Sequence, residues 1–553
     1  MIFSVNITLK TMGTKTLFRD LQFEVDPKQK VAIIGRNGIG KSTLFHMLSG
    51  EDTDYEGTIF IQRGARVVAT KQEHFEHEHE TVLSYILYGL PEYAGLKYII
   101  DTFPEHMGTN RKKLQQYSDA LERFTYLGYF YIEDQILEQL KAYGISNEIA
   151  ARSFDSLSGG QKRFVELVRV EASNADIVLF DEPTNHMDAE AKKLFVAWLK
   201  AAPQTVIVIT HDRDVLDAVD TIIELKEHEA YTSKGNYAAY ISQNLVHTTT
   251  KLQDYSVALK TLDNLHKKIM WARARKPSWH GTADQRNPFE VMERRLQKEY
   301  DEVKRSNPKP SFWVDRESAA TMNKKVTANY DKFKAKNIHI GAMHPAERAN
   351  RLVDVHELVL GYDGKPLFKP VSFTLESGQR LRLTGRNGIG KTTLVKALIM
   401  AAKGQKAHTV LAGEIVCGKK LKLGVYEQEI RSEDLEQSLS RTVENILADA
   451  GEPVSAQAVN QILGDYLFTP EHDGHLQLRR LSGGQKARLQ LIRLLAARPN
   501  VLILDEPTNH LDLPSIEELE DALARFDGAI LYVTHDSYFA RRLHGHEIEL
   551  ERA

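Results

Sequence analysis

The chain has 553 residues, 42% of them hydrophobic and 27% charged, with a net charge of −3. That length calls for two or three domains, and no apolar run reaches 18 residues, so no membrane-spanning helix is expected. The N-terminus (MIFSVNITLK) enters a strand pattern with no signal-peptide architecture, and a single cysteine, Cys417, excludes an intrachain disulfide or a cysteine-built zinc site and suits a reducing cytoplasm.

Taken in chain order, a strand at Lys30 to Ile34 runs into Gly35-Arg36-Asn37-Gly38-Ile39-Gly40-Lys41-Ser42, followed by Thr43. This is G-x-x-x-x-G-K-[ST] between a strand and a helix. Its glycines let backbone N–H groups approach phosphates, its Lys supplies a point charge, and its hydroxyl is a Mg²⁺ ligand. Gln72 follows a strand at Arg66–Thr70. Leu157-Ser158-Gly159-Gly160-Gln161 is a glycine-rich turn entering a helix, an anion site at a helix N-terminus. The apolar run Ile177 to Phe180 reads as a strand buried on both faces, ending in Asp181-Glu182-Pro183-Thr184-Asn185-His186. A second β-rich run, Thr205 to Thr210, ends in His211-Asp212.

After a polar stretch the series repeats. The strand Arg380–Thr384 enters Gly385-Arg386-Asn387-Gly388-Ile389-Gly390-Lys391-Thr392, followed by Thr393. Gln428 follows Lys422–Tyr426, and Leu481-Ser482-Gly483-Gly484-Gln485, Asp505-Glu506-Pro507-Thr508-Asn509-His510 and His535-Asp536 complete the copy. The last three blocks are offset by 324 residues (481−157, 505−181, 535−211), which implies duplication of one α/β nucleotide-binding domain.

In this order the motifs resemble the ATP-binding cassette (ABC) superfamily. Two cassettes in one chain, and DEPTNH followed by Met-Asp or Leu-Asp, resemble its ABC-F class. The resemblance implies two P-loop domains of mostly parallel sheet with a helical subdomain, covering 1–240 and 351–553, joined by a coiled-coil-like helical linker at 241–350. It implies an ATP hydrolase using Mg²⁺. Asp181 and Asp505, with Ser42 and Thr392, are suited to hold the metal, and Gln72 and Gln428 sense it by resemblance. Glu182 and Glu506 are suited to polarise the attacking water, and His211 and His535 take the γ-phosphate switch role. The halves are expected to close head to tail, Gly35–Ser42 facing Ser482–Gln485 and Gly385–Thr392 facing Ser158–Gln161. Tyr362 lies where the family stacks an aromatic on adenine. Its counterpart Met12 departs from that pattern, and the matched Phe18 and Phe368 fit either a base contact or the core. The class is ribosome-associated, with some members protecting the ribosome from antibiotics. The implied partner is the 70S ribosome, rRNA and tRNA included, for a cytoplasmic monomer without a membrane partner.

Two segments set this chain apart from a bare cassette pair. Gln72 to Leu157 spans 85 residues against 53 from Gln428 to Leu481, so the first cassette carries 32 extra (85−53). These fall at about 90–130, with breaks at Pro91, Pro104 and Gly108; the segment reads either as an arm touching the ribosomal stalk region or as a surface elaboration. In the linker, Leu252, Tyr255, Leu259, Leu262 and Ile269, with His266 in the missing slot, and Phe289, Met292, Leu296 and Val303 repeat at helical spacing and predict a paired-helix hairpin. Residues 241–340 hold 20 Lys/Arg and 11 Asp/Glu, a net of +9, leaving −12 for the rest. A basic projection on an acidic body is an electrostatic footprint of nucleic-acid binding. Arg273, Arg275, Lys276, Trp279, Phe312 and Trp313 are the expected RNA contacts, charge for the backbone and rings for unpaired bases. The rival readings are a membrane transporter's ATPase subunit, which has no use for a basic hairpin, and a DNA-repair ABC ATPase, which usually carries longer coiled coils or zinc sites within a cassette.

Overall fold

The structure, a computed structural model, describes residues 1–13, 15–70, 80–106, 110–185, 187–226, 229–276, 287–307, 313–322, 324–334, 351–426, 434–481, 483–496, 498–509 and 511–553. It divides into two compact units, one of Met1–Asn236 with Ile338–Ala553 and one of Tyr237–Asn337.

Both halves of the first unit follow one plan. Among the described residues, the N-terminal half holds a six-stranded sheet in the order Val67–Ala69, Ile177–Asp181, Thr205–Ile209, Lys30–Gly35, Thr221–Lys226, Glu229–Lys234. All neighbours are parallel except the last pair. The C-terminal half holds Leu423–Tyr426, Val501–Asp505, Ala529–Val533, Arg380–Thr384 and His546–Glu549, all parallel. Strands covered on both faces must be apolar throughout; Ile177–Asp181, Thr205–Ile209, Val501–Asp505 and Ala529–Val533 are buried at every residue. Register then places the chemistry. Ile33 pairs with Ile209 and Asp181 pairs with Ile209, so the phosphate loop, the Asp181 carboxylate and His211 leave the sheet at one edge, the C-terminal edge where open α/β sheets bind ligands.

Each half adds an antiparallel sheet: Lys15–Val25, Phe3–Met12 and Glu56–Ile61 in the first, and Arg351–Tyr362 with Lys365–Pro366, Val371–Glu376 and Val410–Cys417 in the second. Met12 opposite Lys15 and Tyr362 opposite Lys365 occupy the same place at the two hairpin tips.

The extra segment of the first half forms the helices Tyr93–His106 and Arg111–Tyr126. Tyr93, Phe124 and Tyr129 close their base as an aromatic triad with centroids 5.4–5.7 Å apart. Pro91 lies between helices as expected, but Pro104 sits inside Tyr93–His106 rather than ending it. So near the helix end, its missing N–H costs a single backbone bond. Gly108 lies outside the described residues.

The second unit is built on the helices Tyr237–Arg275 and Pro288–Ser306, followed by Arg316–Thr321 and Lys324–Phe333. The two long helices run antiparallel: Trp271 meets Phe289 and His266 lies nearer Tyr300. Pro288 begins its helix at the first turn, where a missing N–H is harmless. One small core joins Leu265, Ile269 and Leu296 to Tyr300 and Val303; another joins Leu252, Val314 and Tyr330 to Leu245, Tyr255 and Leu259. Leu265, not His266, therefore fills the seam, and Met292 faces solvent. A 3-4 pattern can be drawn through either neighbour, and the apolar side chain takes the buried position because burying an imidazole would cost a hydrogen bond.

Candidate active site

Each phosphate loop is shaped by left-handed glycines. Gly40 (φ 110°) and Gly390 (φ 112°) cap the helices Lys41–Leu48 and Lys391–Ala402, and Gly38 and Gly388 have φ near 80°. A Cβ at Gly40 would lie 2.7 Å from Phe18 Cζ, and one at Gly390 would lie 3.1 Å from Phe368. Both rings are buried beneath their loops as core supports. Lys41 Nζ donates to the carbonyls of Gly35 (2.8 Å) and Arg36 (3.3 Å), and Lys391 Nζ to those of Gly385 (2.6 Å) and Arg386 (3.2 Å). Burial holds both ammonium groups below their ordinary pKa, a site that rewards an incoming anion.

The carboxylates match in both copies. Thr392 Oγ1 donates to Asp505 Oδ2 at 3.0 Å. Burial pushes Asp181 up to about 6 and raises Asp505, and it raises Glu182 and brings Glu506 to about 7. A hydroxyl beside a desolvated carboxylate is a donor set for a hard divalent cation shared with phosphate oxygens, so these residues fit Mg²⁺. Glu182 (φ 46°) and Glu506 (φ 48°) both adopt the left-handed region, rare for a residue with a Cβ. The same strain at the same place in both copies marks a functional turn. His211 Nε2 lies 3.8 Å from Glu182 Oε1, and His535 Nε2 lies 3.4 Å from Glu506 Oε1. Burial, with Lys41 or Lys391 close by, keeps both imidazoles neutral, His535 down to about 4. Neither ring nitrogen of His211 has a hydrogen-bond partner among the described residues; both are spare for a ligand in a site where buried polar groups are normally satisfied.

The two halves meet head to tail across this machinery. A cavity of about 270 Å³ is lined by Ser158 and Gly159 of the first half and by Asn387, Lys391, Thr392, Asp505, Glu506 and His535 of the second, with Glu182 and His211 also on its wall. Ser158 caps the helix Gly159–Ala172 in a capping box with Gln161, which presents its hydroxyl at the positive helix end. Gln485 and the backbone of Gly483 and Gly484 open the matching helix Gly483–Ala496. Gln72, Gln428 and Ser482 lie outside the described residues. Tyr362 is 57% exposed, its hydroxyl 3.5 Å from Thr393 Oγ1, beside the second phosphate loop; Met12 is exposed at the equivalent tip.

Sequence reasoning missed two residues that join the halves. Asp188 Oδ2 accepts from Asn387 N at 3.0 Å, and Asp512 Oδ2 accepts from Asn37 N at 2.9 Å. Each aspartate also caps the helix that follows it, Ala189–Ala201 or Leu513–Ala524. The signal was present as the Asp two residues after each DEPTNH histidine, but as an N-cap it needed no further role. Removing one of these aspartates should weaken both the cap and the grip on the opposite phosphate loop. Asp188→Ala is expected to cost about 1 kcal/mol of stability from the cap. It should also lower ATP affinity at the Lys391 site more than at the Lys41 site, with Asp512→Ala showing the reverse; nucleotide titration of each variant reads this out.

In the second unit, Arg273 and Lys276 both pair with Glu293, at 3.0 and 2.9 Å. Arg275 lies over Trp271, its guanidinium carbon 3.9 Å from the ring centroid. Trp271 is 47% exposed and was passed over in the sequence, where it reads as one more helix position. Trp313, expected on the surface, is only 8% exposed. Its carbonyl accepts from Asn244 Nδ2 and it precedes Val314 of the small core, so it serves packing, not base stacking. A tryptophan in a segment with no helical or strand repeat carries no periodicity to show which way it faces. Trp279 and Phe312 lie outside the described residues.

Twin P-loop sheets, paired acidic turns, and a helix opening at Ser158 against the opposite phosphate loop define an ATP-hydrolysing cassette pair. The ABC transporter family model matches residues 18–185 and 368–509. The chain belongs to this ATP-binding cassette family and is an ATP hydrolase, and its two-cassette order is consistent with the F class. Among similar proteins, the energy-dependent translational throttle protein EttA of Mycobacterium tuberculosis is 27% identical over 100% of this chain and 91% of its own length. ABC transporter F family member 5 of Arabidopsis thaliana is 25% identical over 97% of this chain and 73% of its own length. The fold is shared with archaeal ribosome recycling factor aABCE1, solved in complex with ribosomal stalk protein aP1 (TM-score 0.53, 17% identity, 95% of this chain and 84% of that one). It is shared also with the RNase-L inhibitor (TM-score 0.53, 16% identity, 95% and 84%). Among the described residues, no helix is long and apolar enough to cross a membrane.

Proposed function

We propose that this chain is a cytoplasmic translation factor that binds the 70S ribosome as a monomer with its cassettes closed over ATP, acts through its linker on tRNA at the peptidyl-transferase region, and leaves on hydrolysis. The observation that carries this reading is the second unit: Tyr237–Asn337 is a separate helical body whose net charge of +9 sits on a chain of −3. A transporter subunit has no use for such a basic helical body, whereas a protein that must approach RNA phosphates does. Full-length similarity to a translational throttle protein points the same way. At and just beyond the C-terminal end of the helix Tyr237–Arg275, Arg273, Arg275 and Lys276 supply charge and Trp271 supplies an exposed ring for an unpaired base.

In each ATP site the backbone N–H groups of the phosphate loop and Lys41 or Lys391 hold the phosphates. Mg²⁺, held by Ser42 and Asp181 or by Thr392 and Asp505, would neutralise charge on the outer phosphates. Glu182 or Glu506 takes the proton of the attacking water, and neutral His211 or His535 donates toward the γ-phosphate. Ser158 and Gly159, from the opposite cassette, complete the cradle around the γ-phosphate, so cleavage of that phosphate removes contacts that hold the cassettes together.

The test is sucrose-gradient sedimentation of the Glu182→Gln/Glu506→Gln chain with ribosomes. Migration with the 70S peak in ATP and not without it is the expected result. Absence from every ribosomal fraction, with ATP binding verified, would overturn the reading.

A further inference from the structure

The halves are duplicates, yet among the described residues one polar device at their junction has no copy on the other side. Lys192, on the helix Ala189–Ala201, is buried; its Nζ pairs with Asp212 Oδ2 at 2.7 Å and donates to the carbonyl of His535, in the other cassette, at 2.8 Å. Arg213 adds a buried pair with Glu520 of the other cassette at 2.9 Å. The 324-residue offset holds without a gap through this region, so the counterparts are Ile516 for Lys192 (192+324), Ser537 for Arg213 (213+324) and Val196 for Glu520 (520−324). Ile516 is buried and apolar and cannot donate to the carbonyl of His211.

The His535 backbone that Lys192 holds is tied to the catalytic carboxylate: His535 N donates to Glu506 Oε2 at 3.3 Å, while the ring lies 3.4 Å from Oε1. A donor from the first cassette thus sets the second cassette's histidine and glutamate through one carbonyl, and this bond forms only where the cassettes meet.

We infer that Lys192 is a positioning residue acting from the opposite cassette on His535, which makes the ATP site of Lys391, Glu506 and His535 depend on cassette closure in a way that the site of Lys41, Glu182 and His211 does not. This rests on the catalytic assignment of the two glutamates. Lys192→Met keeps the length of the side chain and removes the charge and the donor. Placed in the Glu182→Gln background, where Glu506 alone hydrolyses, it should slow single-turnover hydrolysis about tenfold, with ATP affinity changed less than twofold. In the Glu506→Gln background, where Glu182 alone hydrolyses, the loss should stay below threefold, and Lys192→Arg should restore the Glu506 site. Equal losses at both sites, or none, would overturn the inference. So would a variant that no longer binds two nucleotides per chain, because Lys192 would then be holding the interface rather than placing His535. If both single Glu→Gln backgrounds retain the full wild-type rate, the catalytic assignment itself fails, a distinct outcome.

Discussion

Replacing both Glu182 and Glu506 by Gln should lower steady-state phosphate release by about 10³-fold while leaving two ATP molecules bound per chain. Each glutamate is half-buried beside an Asp at the end of a central strand. Burial makes its carboxylate a stronger proton acceptor than an exposed one. Glutamine keeps the shape, accepts the His535 N–H in the place of Oε2, and tolerates the left-handed backbone no worse than glutamate does. It cannot take a proton from water. The variants therefore separate binding from chemistry: affinity for ATP stays, the rate falls, and each single variant removes one of two sites. A double variant that hydrolyses at the wild-type rate would show that another group accepts the proton.

Outside the candidate active site, Arg169→Met should be the most damaging single change to stability, at about 3–5 kcal/mol. Glu166 is 1% exposed and lies on the helix Gly159–Ala172. Tyr85 Oη donates to its Oε1, and Arg169 Nη2 donates to its Oε2 at 2.8 Å and to the carbonyl of Ala69 at 2.8 Å. Without that guanidinium the buried carboxylate loses the charged donor to its Oε2, and the neighbouring Arg163 charge offsets the loss only in part. The duplicate offers an internal control. Gln490 stands where Glu166 does (166+324), and Arg493, the counterpart of Arg169, pairs with Asp434 in a more solvated setting. Arg493→Met should therefore cost less, on the order of 1–3 kcal/mol. Glu166→Gln combined with Arg169→Met should recover much of the loss. The midpoint of the first transition in urea reads this out, and equal costs for the two arginines would refute the burial argument. Arg169 also ties the helix Gly159–Ala172 to the strand Val67–Ala69, which precedes Gln72 in the chain, so turnover should fall with stability.

By itself the sequence determined the parts of this protein whose chemistry is written in consecutive residues. A phosphate loop needs glycines and a lysine at set spacing, and a strand buried on both faces needs an unbroken apolar run. The positions of Gly40, Lys41, Asp181 and Glu182 and of their copies were therefore legible, as was the basic charge of the linker. What only the tertiary structure decided lies where two distant segments meet. Asp188 and Asp512 look like ordinary helix caps until the opposite phosphate loop is brought against them. Lys192 is one lysine on a surface-like helix until Asp212 and the carbonyl of His535 enclose it. Leu265 turned inward and Trp271 outward through the packing of one helix on another, and Trp313 turned inward beside the small core of Leu252, Val314 and Tyr330. Local spacing fixes which face of a segment is apolar; which partner covers that face, and from which copy it comes, depends on long-range contacts that no run of neighbouring residues encodes.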